Sequence, residues 1–201
     1  MFHLNQKEYK NENFTNTDFT DLDICDISFI NCCFQGSKMS GLSTKNCQFT
    51  ECDFSFSRLE GSKHFRSAFV NAQFYGGSLF SAQFKECKAI GSNFFGANLT
   101  GIEILGGNFS YTIFENCDLR RMNFAGACLS HTNFQKACLK GCNLQGCNLS
   151  QAIFRQADLK QADLREANVE GSDLKYAQLE KTVIDLRQAV YLAEQLGCLL
   201  K

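Results

Sequence analysis

The stretch CNLQGCNLSQAIFRQADLKQADL, residues 142–164, sets a large apolar residue at every fifth place. That period suits neither an α-helix, which repeats every 3.6 residues, nor a strand, which alternates every two. The register runs from Phe14 to Ile184 without an insertion or deletion. Every residue whose number ends in 4 or 9 is a centre, and 32 of these 35 positions are Phe, Leu, Ile, Met or Val, the exceptions being Thr44, His64 and Ala89. Two places before the centre, 29 of 35 residues are Ala, Cys, Ser, Thr or Gly. Asn or Asp often stands directly before it, as at Asn143, Asn148, Asp158, Asp163 and Asp173.

A strict five fits short extended segments joined by turns, each quintet forming one side of a coil with one large and one small side chain inward. Asn or Asp before the centre can hydrogen-bond nearby backbone and hold the turn. The absence of proline from all 201 residues agrees with a backbone whose N–H groups are needed between stacked coils. Chemical identity repeats at twenty rather than five. One column reads Phe14, Phe34, Phe54, Phe74, Phe94, Phe114, Phe134, Phe154 and then Leu174, while the next is mostly leucine from Leu59 to Leu179. Four quintets therefore make one coil, and like residues stack roughly 4.8 Å apart along the axis.

The segments ANLTG, CNLQG, ADLKQ and ADLRE resemble the A(D/N)LXX motif of the pentapeptide-repeat family. The resemblance covers residues 4–184 and implies an all-β fold, a right-handed quadrilateral β-helix of about nine coils. At the stacking distance such a rod is roughly 43 Å long. Residues 1–184 are expected to form the β-helix, and 185–201 a C-terminal capping helix and dimerisation tail.

Open solenoid ends expose the core and an unpaired edge, so they need caps. In DLRQAVYLAEQLGCLLK the quintet rule breaks and a helix is expected. Asp185 serves as N-cap with Gln188 three residues on, Leu186, Ala189, Val190, Ala193 and Leu196 form an apolar face, and Gly197 ends the helix. The pattern QAxYLAxxLG is similar to the C-terminus of the quinolone-resistance, gyrase-protecting (Qnr-type) branch of the family. That resemblance implies a homodimer joined through this end by Leu186, Val190, Leu192, Leu196, Leu199 and Leu200. It also implies a non-catalytic protein that imitates duplex DNA in binding DNA gyrase or topoisomerase IV, protecting it from quinolones or a related toxin. The alternative is a protein-binding scaffold of the same fold with a non-topoisomerase partner.

Charge enters here, because a DNA mimic needs a negative surface. Twenty basic against 21 acidic residues leave a net charge of -1. Glu12, Asp18, Asp21, Asp23 and Asp26 form an acidic stretch in the first coils, whereas Arg120, Arg121, Lys140, Lys160 and Lys181 make a basic stripe nearer the C-terminus. Outward aromatics near mid-chain, Phe56, Tyr75, Phe80 and Phe95, join Asp18, Asp21, Asp23 and Asp26 as partner-binding candidates. Direct nucleic-acid binding is not expected.

His3, His64 and His131 are far apart, and no catalytic spacing or phosphate loop is present, so no catalytic residue, cofactor or metal site is assigned. Paired cysteines such as Cys142 and Cys147 occupy the small inward position shared by Cys32, Cys47, Cys52, Cys87 and Cys117, which makes them buried spacers rather than zinc ligands. Cys25, Cys33, Cys128 and Cys138 are expected outside. Thr44 and His64 interrupt an inward column, where a local irregularity with Phe65 turned inward is expected. Without a signal-like N-terminus or a long apolar run, the chain is expected in the cytoplasm and not in a membrane.

Overall fold

A computed structural model describes residues 4–199. The quintets wind into a parallel β-solenoid in which paired residues lie twenty apart in sequence. Among the described residues, nine strands of three residues are extended enough to form sheets: β1 (Glu8–Lys10), β2 (Asp23–Cys25), β3 (Ser28–Ile30), β4 (Ser43–Lys45), β5 (Gln48–Thr50), β6 (Lys63–Phe65), β7 (Ala68–Val70), β8 (Gln83–Lys85) and β9 (Glu103–Leu105). The first face stacks in the order β1-β3-β5-β7 and the fourth in the order β2-β4-β6-β8-β9. Four and five tiers of strand are fewer than the nine coils counted from the repeat. The remaining sides are single bridges, such as Asn13↔Cys33 on the second face and Asp18↔Lys38 on the third, and these carry the twenty-residue rung to Asp163↔Val183.

The core is the column of centres. Rings in the Phe14 to Phe154 column stack face to face with centroids 4.6 to 5.7 Å apart, close to the strand spacing that sets them. The small position two places earlier lets the chain turn against this column. Buried thiols there donate back to the preceding coil, Cys142 Sγ to the Leu119 carbonyl at 2.8 Å and Cys147 Sγ to the Phe124 carbonyl at 2.9 Å.

Turns follow the expected chemistry with one addition. The Asn or Asp before the centre accepts from the N–H two residues on, as Asn13 does from Thr15 at 2.9 Å and Asn133 from Gln135 at 2.9 Å. Two places after the centre the backbone turns left-handed in residue after residue, including Phe56 (φ 58°), Tyr111 (φ 60°) and Arg121 (φ 62°). Such residues carry strain that the stacked hydrogen bonds on either side over-determine.

The irregularity expected at Thr44 and His64 does not occur. Both side chains point inward and are buried, while Phe65 lies half-buried outside, beneath the Arg66 guanidinium. Thr44 Oγ1 lies 2.9 Å from His64 Nδ1 and 2.9 Å from Ser67 Oγ, and His64 Nε2 lies 3.0 Å from Ser62 Oγ. Small serines at two corner positions thus supply the partners that make a buried imidazole tolerable.

Candidate interaction surfaces

Helix α1 (Leu186–Gln195) lies across the last coil. Its capping box is complete: Asp185 Oδ1 accepts from Arg187 N at 3.0 Å and Gln188 N at 3.2 Å, and Gln188 Oε1 accepts from Asp185 N at 2.9 Å. Asp185 Oδ2 also accepts from Glu166 N at 2.8 Å, and this bond, with those from Gln188 and Arg187, holds its carboxyl below the usual range. Gly197, at φ 83°, ends the helix and donates to the Glu194 carbonyl at 2.9 Å.

The helix seals the rod with polar side chains. Gln188 Nε2 donates to the Leu164 carbonyl at 2.5 Å and the Ala167 carbonyl at 2.9 Å, taking up acceptors that a further coil would have used. Tyr191 Oη donates to the Ser172 carbonyl at 3.0 Å, and Gln195 Nε2 to the same oxygen. The apolar face read from the sequence exists but points away from the rod. Leu186, Leu196 and Leu199 are exposed, Val190 and Leu192 are half-buried, and Leu200 lies outside the described residues. A cleft of about 790 Å³ between helix and last coil, walled by Val169, Leu186 and Tyr191, adjoins this face.

The aromatic candidates come together in part. Tyr75 and Phe95 stack with centroids 6.2 Å apart and planes 8° apart, and Phe56 meets the Tyr75 ring edge-on at 5.5 Å. All three are exposed on the corner between the second and third faces, whereas Phe80 is exposed on the next corner. The Phe56 ring covers Gly76 so closely that a Cβ there would collide with it.

Asp18, Asp21, Asp23 and Asp26 are exposed but spread over two faces and two corners of the first coil. Hydrogen bonds from Thr20 hold the Asp18 carboxyl below its usual range, and Asp26 Oδ1 accepts from Asn46 Nδ2 at 3.1 Å. The basic stripe is partly neutralised, Arg120 by Asp118 and Lys160 by Glu180 at 4.0 Å. Arg120, Arg121 and Lys140 of that stripe line one cleft near mid-rod, together with Asp118.

Cys32, Cys47, Cys52, Cys87, Cys117, Cys142 and Cys147 are buried. Burial pushes the thiols of Cys52, Cys117 and Cys142 up to about 12. Cys25 is exposed, and Cys33, Cys128 and Cys138 are half-buried. Burial works against ionisation of Cys128, yet hydrogen bonds from Ser110, Ser130 and Asn148 hold its thiol below the ordinary value. The exposed thiol that the repeat does not reveal is Cys198, which lies beyond the last quintet. Among the described residues no cluster of His, Cys, Asp or Glu could hold a metal ion, and no helix is long and apolar enough to cross a membrane.

Two family models match the chain, one described as a pentapeptide repeat region over residues 108–190 and one as pentapeptide repeats (8 copies) over residues 27–63. The pentapeptide repeat protein MfpA of Mycobacterium tuberculosis is 34% identical over 93 residues, 46% of this chain and 51% of MfpA, so the match spans about half of that relative. Among solved structures, trypsin-treated QnrB1, a plasmid-mediated fluoroquinolone resistance protein, superposes with a TM-score of 0.83 at 24% identity, over 96% of this chain and 97% of that one. Full-length QnrB1 gives 0.68 at 25% identity, covering 94% and 97%. HetL of Nostoc sp. strain PCC 7120, involved in heterocyst differentiation regulation, gives 0.56 at 23% identity, covering 88% and 86%.

Proposed function

We propose, for a chain that belongs to the pentapeptide-repeat family, that it binds DNA gyrase or topoisomerase IV without catalysis and shields the enzyme from quinolones or a related toxin. The likeness to full-length QnrB1, a fluoroquinolone resistance protein, over nearly the whole chain is the observation that carries this reading. The MfpA match supports it over about half of that relative. Physically the rod offers a stiff, regular column whose outer residues can occupy a groove shaped for duplex DNA. Two rods joined end to end through the apolar face of α1 make a longer mimic, with the acidic first coil of each at its far tip. The complex forms in the cytoplasm, where the topoisomerase works, and involves neither direct nucleic-acid binding nor a cofactor.

A second reading, a protein-binding scaffold with a non-topoisomerase partner, is favoured by one observation. The net charge is only -1, whereas a duplex mimic needs an anionic surface. Titrating the purified protein into a gyrase supercoiling assay, with and without ciprofloxacin, separates the two. Relief of drug-induced cleavage or inhibition of supercoiling at micromolar protein supports the first reading, and neither effect leaves the scaffold.

A further inference from the structure

The hydrogen bonds joining successive coils are interrupted in mid-rod, between the fifth coil (residues 88–107) and the sixth (108–127). From the first coil to Leu164 a centre N–H otherwise donates to the carbonyl nineteen residues on, as Leu79 does to Asn98 at 2.8 Å and Leu119 to Cys138 at 2.9 Å, except at Phe154, whose N–H donates to the Asp173 carboxylate. On the third and fourth faces of the fifth coil, Leu99, Gly101, Ile104 and Gly106 have N–H groups with no backbone acceptor among the described residues. Asp118 and Asn123, on the opposite lip, are in the same state. Accordingly the fourth-face sheet stops at β9 and resumes only with Asn123↔Asn143, while the third-face bridges stop at Ser78↔Asn98 and resume with Asp118↔Cys138. The first and second faces stay closed, through Ala89 N to Asn108 O at 2.8 Å and Phe94 N to Ile113 O at 2.9 Å. The two coils are thus hinged along two faces and parted along the other two.

Ile102 and Met122 stand one above the other across the parting, both at the position that is usually small. Leu22 and Leu42 hold the same relation in the first coils with their ladder closed, so size alone does not open it. The chain leaves the fifth coil through Gly106 and Gly107, both at positive φ. Gly107 lies so close to the Cys87 backbone that a Cβ would collide with it.

Two clefts run along the parted faces. One, of about 440 Å³, is lined by Leu99, Gly101, Arg121, Met122 and Lys140. The other, of about 490 Å³, is lined by Ile102, Glu103, Ile104 and Leu105. Both fall in the size range of ordinary ligand clefts. Among the described residues Arg121 and Lys140 take part in no ion pair, the Arg120 charge is met by Asp118, and Glu103 is the remaining acid lining the clefts, so the clefts hold a cationic excess of one. At the adjoining corner Gly76 and Gly96 also have N–H groups without a backbone acceptor, beside the Tyr75 and Phe95 stack.

We propose that this parting binds an extended polypeptide segment carrying carboxylate side chains, which adds as a strand to the open lips. Such a segment presents alternating N–H and C=O groups at the spacing of the unmatched lip groups, as strand addition to a sheet edge does. Its carboxylates meet Arg121 and Lys140, and apolar side chains of the segment cover the exposed Leu105. The hinge along the first and second faces lets the lips separate without loss of the core beneath. This site is independent of whether the partner is a topoisomerase.

Amide-resolved NMR on the full chain tests the proposal. In the free protein the N–H groups of Leu99, Gly101, Ile104, Gly106, Asp118 and Asn123 exchange at least about tenfold faster than those of Leu79, Leu119 and Leu139. A short acetylated peptide of alternating Glu and Val, at millimolar concentration, shifts and protects the same six amides. The Lys–Val counterpart does not, nor does a Glu–Val peptide with alternate amides N-methylated. Arg121→Glu with Lys140→Glu weakens binding about tenfold or more, whereas Arg121→Lys with Lys140→Arg keeps it, which separates lost charge from lost fold. The proposal is overturned by six amides as protected as their neighbours, by no response to the acidic peptide, or by equal binding of the Lys–Val peptide.

Discussion

Leu186 and Gln188 stand two residues apart on α1 and face opposite surroundings: Leu186 is 80% exposed, and Gln188, at 1%, is sealed against the last coil. The inward residue closes the rod and the outward one remains available to a second copy. Replacing Gln188 with Ala leaves the Ala167 carbonyl without a donor among the described residues and the Leu164 carbonyl with Ala167 N alone, at a cost of about 1–3 kcal/mol. Chemical denaturation is expected to show that loss, with the oligomeric state unchanged at protein concentrations where the native fold persists.

Charge on the outward face acts the other way. Leu186→Asp with Leu199→Asp is expected to leave the unfolding midpoint of the rod within a few degrees of the parent, because neither side chain packs on the core. The same pair converts a dimer to a monomer in light scattering. A parent protein that is already monomeric at micromolar concentration removes the dimer from the account.

His64 makes stability depend on pH. Burial lowers its pKa from 6.5 to about 3, so the folded chain keeps the ring neutral where the unfolded chain protonates it. Above pH 6.5 neither state binds the proton and the group has no effect. As pH falls from 6.5 towards 3 the unfolded state takes up the proton alone, and stability declines. Between pH 6.5 and 5, above most carboxylate titrations, the loss is about 1.5 kcal/mol. Denaturation at the two pH values should show it in the parent and not in His64→Phe.

Thiol labelling should follow the coil. At neutral pH a maleimide is expected to modify Cys25 and Cys198 first and to leave Cys52, Cys117 and Cys142 untouched until the chain unfolds, because thiols pushed up to about 12 in a closed core present almost no thiolate. Peptide mapping by mass spectrometry reads the order. Early labelling of Cys142 would mean that the C-terminal coils open far more readily than their ladders indicate.

Phe56 offers a separation of stability from binding. Its left-handed backbone costs about 1–2 kcal/mol relative to an undemanding residue, and its edge-on contact with Tyr75 returns about 0.5–1.5 kcal/mol. Phe56→Asn gives up both, so the melting temperature should scarcely move. If the aromatic corner is where a partner docks, affinity for that partner falls at the same time.

Much of this was readable from residue order alone. The period of five, its grouping by twenty, the Asn and Asp turns and the Asp185–Gln188 capping box all follow from which side chains recur where. Other features depend on contacts the repeat does not encode. Thr44 and His64 look like defects in a column until Ser62 and Ser67 are seen beside them. The left-handed corner was hidden because residues as unlike as Gly36, Phe56 and Glu166 fill it, held there by backbone bonds and not by their own preference. The apolar stripe on α1 was visible, but its direction was not, since polar Gln188, Tyr191 and Gln195 were the better match for open carbonyls. The parting between the fifth and sixth coils left only faint traces, in the large Ile102 and Met122 and the paired glycines 106 and 107.

Direct binding to the topoisomerase is the most immediate test of the central reading. Immobilised gyrase should capture this protein from solution with micromolar or tighter affinity, and linear duplex DNA should displace it, since both occupy one groove. Capture unaffected by saturating DNA, or no capture at tens of micromolar, would contradict it.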